Sequence, residues 1–426
     1  MDALQAGLDW IEDAEATAIT DLAALVGFDT SYPPGRNYPE LAAWMASRLS
    51  GLGFTSRRVE VPEPLWNAYG AEADGARVNL VAESAALGPP TLGIYGHVDV
   101  VPAGNGWSTP PFTLTRRGEW LHGRGAADMK GAVASLLLAL DAAHRHAVPL
   151  RHSPRVLICT DEEGGAYPGI RYLAEQGVVP EHLVCLDGGT MPRRWLGAFG
   201  SLELLLEVEG RAGHAGQHGS GDNALERAIP MLAALLALKP VVEARVSGLT
   251  GRDGAPLRPI LAVTTCQAGV KANIVPDLCR IRLNRRYAPE EGDAAPLTEI
   301  EAALAAAAPL GTRWRLHVTG HLAPVQGADR GPNVARFVEA MRQGFRLPRD
   351  DGAAWGATSS SDMGWVQRAR PAGAGSEILI AGAIDGDSRV HMADERVRVG
   401  DLLGLARGIL LYLAGASTSQ AAAPRF

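Results

Sequence analysis

The sequence predicts an α/β fold: a mixed, mostly parallel sheet sandwiched by helices, with a ferredoxin-like α+β domain inserted into it. Two observations support this prediction. In the first and last parts of the chain, apolar runs of strand length alternate with helical patterns, an order typical of a parallel sheet covered on both faces. Between these parts the elements follow the order β-α-β-β-α-β, which is that of a ferredoxin-like unit.

The first part of the chain begins with two helical patterns. Apolar spacing predicts helices over residues 4–26 and 38–52, and Gly53 directly follows the second as a helix stop. Short apolar runs bounded by Asp and Gly then suit buried strands, and one longer apolar stretch suits a helix. The predicted strands are residues 77–82, 91–96, 155–160 and 183–186, and the predicted helix is residues 129–146.

The middle of the chain has a different pattern, and the first pattern returns after it. The elements of the predicted insertion are strand 201–209, helix 223–238, strands 260–267 and 278–287, helix 297–308 and strand 313–318. The elements that follow are helix 334–345, strand 377–381, helix 399–414 and a loose tail at 417–426. We therefore predict a catalytic domain made of residues 1–198 and 320–426, with an inserted domain made of residues 199–319.

Composition narrows the class of protein. Hydrophobic residues make up 46% of the 426 and charged residues 20%, a balance typical of a folded enzyme. The formal net charge of -7, without a run of Lys and Arg, argues against a nucleic-acid partner. The N-terminus is acidic where a signal peptide would be basic, and no apolar run is long enough to span a bilayer, so we expect a cytoplasmic protein with no membrane partner. The four cysteines lie in apolar runs and form no CxxC pair, which suggests small buried side chains.

Chemically active side chains follow the predicted strands. His97 and Asp99 come directly after the strand at 91–96, and Asp128 precedes a helix in a Gly-rich segment. His97 is a natural metal ligand whose other ring nitrogen Asp99 could hold. Each signal has a structural alternative, because a His-x-Asp pair is often structural and an Asp before a helix often only caps it.

Further acidic residues end the next two strands. Asp161, Glu162 and Glu163 follow one another, and adjacent carboxylates repel unless a cation or a proton offsets their charge. A solvated acidic loop is the alternative, but it fits poorly directly after an apolar run. Asp187 ends the following strand in the same way, and His391 precedes the last helix. Two His and three carboxylates, with Glu162 left over, predict a two-metal site of nitrogen and oxygen ligands.

In these motifs the chain resembles the co-catalytic zinc hydrolases, the family that includes acetylornithine deacetylase, succinyl-diaminopimelate desuccinylase, aminoacylase and glutamate carboxypeptidase. The resemblance covers nearly the whole chain. The motifs that carry it occur in family order and are GHVDVVP, GRGAADMKG, TDEEGG, LDGG and the late His391. The resemblance implies a zinc-peptidase-like fold with a ferredoxin-like insertion, two zinc ions in each subunit and a homodimer formed through the inserted domain.

The resemblance also implies a role for each residue of the centre. The implied zinc ligands are His97 and Asp187 on one ion, Glu163 and His391 on the other, and Asp128 as a bridge followed by a peptide bond that is often cis. Glu162 is implied as the general base, which moves a proton from water to the leaving nitrogen. Asp99 is implied as the partner of His97. Cobalt and manganese are alternatives to zinc, because mixed carboxylate and imidazole ligands also bind them.

Matches in the inserted domain imply contacts with the substrate. His214 is expected to reach the neighbouring subunit's active site and to stabilise the oxyanion, although Gln217 and His218 depart from the family pattern. Asn273 and Arg286 match positions that help hold a substrate carboxylate, for which the planar guanidinium is well suited.

The last match is a loop near the end of the catalytic domain. Ser360 and Ser361 belong to a loop whose amides and hydroxyls contact the substrate in the family. Ser359 replaces a glycine of that loop, so the desuccinylase pattern is matched imperfectly.

These features predict a two-zinc amidohydrolase of amino-acid metabolism, which uses metal-activated water to remove an acyl group from an N-acyl amino acid or a related small amide. A carboxypeptidase or dipeptidase acting on dipeptide-like substrates stays open, because both reactions use the same metal centre. A catalytically silent, ligand-binding dimer is the third hypothesis. The presence of Glu162 and of every implied ligand argues against it.

Overall fold

The computed structural model describes residues 2–67, 73–84, 90–164, 166–327, 331–348, 354–371 and 377–415. Within them the α-helices are α1 Ala3–Asp13, α2 Glu15–Gly27, α3 Tyr38–Ser50, α4 Glu63–Trp66, α5 Lys130–Arg145, α6 Gly169–Glu175, α7 Ala224–Glu243, α8 Ala295–Ala307, α9 Val334–Gly344, α10 Met363–Arg368 and α11 Val399–Ala414. The strands are β1 Phe54–Glu60, β2 Val78–Ser84, β3 Thr91–His97, β4 Thr115–Arg117, β5 Trp120–His122, β6 Ser153–Cys159, β7 His182–Cys185, β8 Arg194–Ala198, β9 Gly200–Glu209, β10 Gly213–His214, β11 Ile260–Ala268, β12 Ile274–Val275, β13 Leu278–Tyr287, β14 Arg313–Leu322, β15 Val325–Gln326, β16 Ala354–Ala357, β17 Glu377–Ile380 and β18 Arg396–Arg398.

A six-stranded sheet forms the centre of the fold, in the order β1-β2-β6-β3-β7-β17. The strands β6, β3, β7 and β17 run parallel, whereas β1 and β2 pair antiparallel at one side. This arrangement confirms the predicted mixed, mostly parallel sheet. Because β3, β6 and β7 are parallel neighbours, the residues that follow them meet at one edge of the sheet.

Alternate residues of the central strands enter two hydrophobic cores. Ile94 and Val156 belong to the core that includes α2, α5 and α11, whereas Tyr95 and Leu157 belong to the core that includes α6 and α10. Both faces of the sheet are therefore covered, which is why these strands read as continuous apolar runs. Helix α5 is buried on all sides from Lys130 to Ala143, since it packs against α2, α11 and the sheet.

A second, antiparallel sheet has the strand order β11-β13-β9-β14. Along the chain its strands and helices follow the order β9, α7, β11, β13, α8, β14, and both helices pack over its apolar residues. The predicted ferredoxin-like unit is therefore confirmed. We call its four-stranded sheet the lid sheet. The exact limits of the inserted domain, residues 199–319, stay a prediction.

The structure also corrects the sequence-based prediction. Residues 4–26 form two helices, because the backbone leaves helical geometry at Ala14, with φ -95° and ψ 21°. Strand β1 and helix α6 were not predicted, and short strands form three further small sheets in the described residues, β10-β12, β15-β8-β16 and β18-β5-β4. Of the four cysteines, Cys266 is exposed, since it lies on the edge strand β11. The predicted tail, residues 417–426, lies outside the described residues.

A helix that spans a bilayer needs about 20 predominantly apolar residues. None of the helices in the described part of the chain combines that length with that apolar character.

Candidate metal centre

His97 is the last residue of β3 and is fully buried. Its Nδ1 lies 3.1 Å from the backbone carbonyl oxygen of Asp99 and 3.6 Å from a carboxylate oxygen of the same residue. The other carboxylate oxygen of Asp99 accepts a hydrogen bond of 2.8 Å from the backbone N–H of Glu163. Asp99 therefore orients His97 chiefly through its carbonyl, and its side chain fixes the neighbouring acidic loop.

Asp128 lies between the two histidines of the predicted centre. One carboxylate oxygen is 3.3 Å from Nε2 of His97, and the other is 3.4 Å from Nε2 of His391. The peptide bond between Asp128 and Met129 is cis, as the resemblance implied. The two oxygens of Asp128 thus face two different histidines, which is the arrangement that a bridging carboxylate requires.

The remaining candidate ligands complete two groups. Nε2 of His391 lies 3.0 Å and 3.2 Å from the two carboxylate oxygens of Glu163. The potential ligand atoms lie within 4.8 Å of one another in each group, and the groups are His97, Glu162 and Asp187, and Asp128, Glu163 and His391. The structure therefore brings together all five residues predicted to bind metal. It also places Glu162, the predicted base, beside His97 and Asp187.

The electrostatics of these groups favour a bound cation. Burial and the nearby charge of Asp128 raise the pKa of Glu163 to about 7 and that of Asp187 to about 6. Burial, together with neighbouring carboxylates such as Asp187, raises the pKa of Glu162 well above its usual value. These shifts arise because negative charge is concentrated away from water, where a metal ion would offset it.

Unsatisfied polar atoms point to the same conclusion. Nε2 of His97 and Oδ1 of Asp128 are buried and form no hydrogen bond within the described residues, although they face each other. Buried polar atoms rarely stay without a partner in folded proteins. Because the donor set is imidazole and carboxylate, these residues fit divalent ions such as zinc.

Glu395 supports the Asp128 loop, a role that its position in the sequence did not predict. One of its carboxylate oxygens accepts hydrogen bonds from the backbone N–H groups of Ala127 (3.0 Å) and Asp128 (3.1 Å). The other lies 2.6 Å from Nη1 of Arg124, and both side chains are 1% exposed. This buried ion pair holds the backbone that presents Asp128. The only indication of this role in the sequence is that Glu395 lies close to His391.

A second buried pair supports the acidic loop. Asp161 has a positive φ of 63°, and its carboxylate accepts hydrogen bonds from Tyr38 (3.0 Å) and Arg77 (2.8 Å). The guanidinium of Arg77 also lies 4.2 Å from the ring centre of Trp66. Asp161 therefore anchors the loop and leaves Glu162 and Glu163 to face the centre.

A cavity of about 520 Å³ opens above the two groups. Its walls include Arg286 and the loop of Ser360 and Ser361. Nη1 of Arg286 donates a hydrogen bond of 2.6 Å to the Ser360 hydroxyl, and the hydroxyl of the buried Ser361 accepts one from the backbone N–H of Met363. These predicted substrate contacts therefore share one wall of the cavity that leads to the centre.

Two predicted site residues lie elsewhere. His214 and Asn273 are exposed on the short ribbon formed by β10 and β12, where the N–H of Ala215 donates to the carbonyl of Asn273. Nδ1 of His214 accepts a hydrogen bond of 3.0 Å from the N–H of Gly216. Neither residue lines the cavity of its own chain.

Comparisons with known proteins agree with this geometry. A model of the family described as peptidase family M20/M25/M40 matches residues 93–414, a segment that contains every candidate ligand. A succinyl-diaminopimelate desuccinylase of Thioalkalivibrio sulfidiphilus (strain HL-EbGR7) is 29% identical over 87% of this chain and 92% of that protein. One of Gluconobacter oxydans (strain 621H) is 31% identical over 88% of this chain and 91% of that protein.

Two solved structures have the same fold. Human carnosine dipeptidase 1 has a TM-score of 0.74 at 18% identity, over 97% of this chain and 100% of that chain. The dipeptidase Dug1p of Saccharomyces cerevisiae has a TM-score of 0.78 at 16% identity, over 97% of this chain and 98% of that chain.

Proposed function

The chain belongs to peptidase family M20/M25/M40, and we propose that within this family it is a zinc-dependent amide hydrolase that removes the acyl group from an N-acyl amino acid or a related small amide. The observation that carries this proposal is the convergence of two histidines and four carboxylates beneath one cavity. The two relatives described as desuccinylases support an acyl group as the part removed.

The chain offers ligands for two metal ions. In the proposed assignment His97 and Asp187 hold one ion, Glu163 and His391 hold the other, and Asp128 is shared. Bound ions of this kind polarise a carbonyl group and lower the pKa of water. Asp99, Arg124 and Glu395 position these ligands through the contacts described above.

Glu162 is the proposed general base. Its carboxylate is buried, lines the cavity and lies beside His97 and Asp187. In this role it accepts a proton from the attacking water and delivers it to the leaving nitrogen. Glu162 is the one carboxylate of the cluster for which a proton-carrying role is proposed, because Asp128, Glu163 and Asp187 are assigned to the metal ions.

Arg286 and Ser360 are proposed to hold the carboxylate of the amino acid. Both line the cavity, and the hydrogen bond between them fixes the guanidinium. A guanidinium binds a carboxylate through two parallel hydrogen bonds, which orients the substrate as well as attracting it. Ser361, in the same loop, is proposed to position the substrate beside them.

We propose that the active form is a homodimer in which His214 and Asn273 complete the partner's site. Their exposure, outside the cavity of their own chain, supports this proposal. Helix α7 also exposes the apolar side chains of Ile229 (55%) and Leu236 (54%), which a second subunit could cover. The cytoplasmic location stays a prediction from the sequence.

A dipeptidase or carboxypeptidase is the alternative function, because two similar folds are those of dipeptidases. The catalytically silent hypothesis is disfavoured, since Glu162 and all candidate ligands converge in one place.

Hydrolysis of N-acetyl, N-succinyl and N-formyl amino acids beside dipeptides tests the proposal, with the metal-free and the zinc-restored protein in parallel. Zinc-dependent turnover of one acyl series is the expected result. Turnover of dipeptides alone would establish the alternative. No turnover of any compound, with two zinc ions bound, would contradict both enzymatic hypotheses.

A further inference from the structure

A second arginine faces the cavity, and the proposed function leaves it without a role. Arg193 lies between Asp187 and β8, is partly buried and lines the cavity. Its guanidinium lies 5.0 Å from the ring centre of Trp355. Its guanidinium forms no hydrogen bond or ion pair with the other described residues, so its five N–H donors have no acceptor among them.

Arg193 is separate from the proposed site for the amino-acid carboxylate. Arg286 belongs to β13 of the lid sheet, whereas Arg193 follows the strand that presents Asp187. Burial lowers the pKa of both arginines, and the nearby groups that oppose this effect differ. They are Glu203 and Glu162 for Arg286, and Asp187 and Cys185 for Arg193.

Both arginines nevertheless flank one reaction centre. Glu162 and Asp187, the carboxylates that influence them, offer ligand atoms within 4.8 Å of each other. Burial lowers the pKa of Arg193 only to about 10, so the group stays cationic at neutral pH. The cavity therefore presents a positive charge on each of two elements around the place where the scissile amide is proposed to lie.

We propose that Arg193 binds a carboxylate on the acyl side of the scissile amide, while Arg286 binds the carboxylate of the amino acid. The inference rests on the proposed function and narrows its substrate class to amides with an anionic group on both sides of the bond. A guanidinium packed against an aromatic ring keeps its edge free for the two parallel hydrogen bonds of a carboxylate. Desolvation in a partly buried cavity strengthens that interaction.

Two kinds of molecule carry such a carboxylate. One is an acyl group derived from a dicarboxylic acid, such as a succinyl group. The other is an N-terminal acidic residue of a dipeptide. The test therefore compares two pairs that differ only in charge: N-succinyl against N-succinamoyl amino acids, and aspartyl against asparaginyl dipeptides.

The measured quantity is the ratio of kcat/KM between the charged and the neutral member of each pair, for the zinc-loaded enzyme. The wild type should favour the charged member in at least one pair, and Arg193→Gln should lower that ratio by about 100-fold, as is typical of removing one partner of a desolvated charge pair. Arg193→Lys should restore part of the ratio. Arg252→Gln is the matched control, because Arg252 lies 5.9 Å from the same Trp355 ring but is exposed and does not line the cavity.

Which pair shows the preference identifies the source of the carboxylate. Equal turnover of both members in both pairs would overturn the role of Arg193 while leaving the proposed function intact. Calorimetric titration of the zinc-loaded protein with succinate and with succinamate gives a readout that does not need turnover. Tighter binding of succinate that is lost in Arg193→Gln supports the subsite, and equal binding of both compounds overturns it even if the proposed function has failed.

Discussion

Replacement of Glu395 by Gln tests how the backbone around the centre is held. Gln keeps the shape of the side chain and one oxygen that can still accept from the N–H groups of Ala127 and Asp128. The amide nitrogen would then face Nη1 of Arg124, which now lies 2.6 Å from a carboxylate oxygen. Two donors would meet, and a buried guanidinium would lose its counter-charge.

The expected effect is large because both side chains are 1% exposed. Breaking a buried ion pair by removing one partner destabilises a protein by about 3–5 kcal/mol. We expect the lower end of that range, about 3 kcal/mol, because Gln retains the acceptor for the two backbone groups. Since Asp128 is the proposed shared ligand, zinc affinity should also fall by roughly 10- to 100-fold, as for other residues that orient metal ligands.

Urea unfolding of the metal-free protein measures the first effect, and competition with a zinc chelator measures the second. Glu209, 30% exposed, provides the control because its two partners, Arg313 and Arg315, are 72% and 63% exposed: Glu209→Gln should change stability by only roughly 0–1 kcal/mol. Adding Arg124→Met to Glu395→Gln should recover part of the lost stability, because it removes the unpaired charge. A Glu395→Gln protein with the urea midpoint and the zinc affinity of the wild type would show that this ion pair does not hold the Asp128 backbone.

Four other perturbations test the general base, the shared metal ligand, the site that spans the dimer and two buried histidines. Glu162→Ala should keep both metal ions and lose turnover by roughly 100- to 10,000-fold, as loss of a general base predicts, and metal analysis that finds an ion missing would make Glu162 a ligand instead. Asp128→Ala should weaken the binding of both ions in a zinc titration, so full occupancy would rule out the shared position. Inactive His214→Ala and inactive Glu162→Ala subunits should regain partial activity when mixed, and no recovery after confirmed subunit exchange would contradict the site that spans the dimer. Burial lowers the pKa of His152 and of His182 to about 4, below the ordinary value of about 6.5. Their contribution to the free energy of unfolding is therefore fully present above pH 6.5 and is lost as the pH falls towards 4, where the unfolded chain binds protons that the folded chain does not. The gain in stability from pH 5 to pH 7, measured by urea unfolding, should therefore be smaller in His182→Gln than in the wild type, by up to about 2 kcal/mol, whereas an equal gain in both proteins would be contrary to this assignment.

The convergence of the candidate ligands could be predicted in part, because three of them have a local signal. His97 ends an apolar strand, Glu163 and Asp187 each follow one, and parallel neighbours must bring such residues to one edge. The lid sheet was predictable for a similar reason, since its long strands and helices occur in an order with few alternative folds.

The supporting contacts could not be predicted in this way. Arg124 and Glu395 are 271 positions apart in the sequence, and neither apolar spacing nor residue type indicates that they meet. The same is true of Tyr95, whose hydroxyl donates to Asp362 across 267 positions. Strand β1 was missed because its charged residues mask the alternation that usually marks a strand, while the break at Ala14 leaves the helical apolar spacing intact.

A crystal structure of the zinc-loaded protein, with anomalous diffraction recorded at the zinc edge, would locate the metal ions directly. We expect two zinc peaks, about 3.5–4 Å apart as in other two-metal sites, one on either side of Asp128. One peak should be bound by His97 and Asp187, and the other by Glu163 and His391, with Glu162 bound to neither. A single peak, or two peaks outside this group of residues, would contradict the proposed centre.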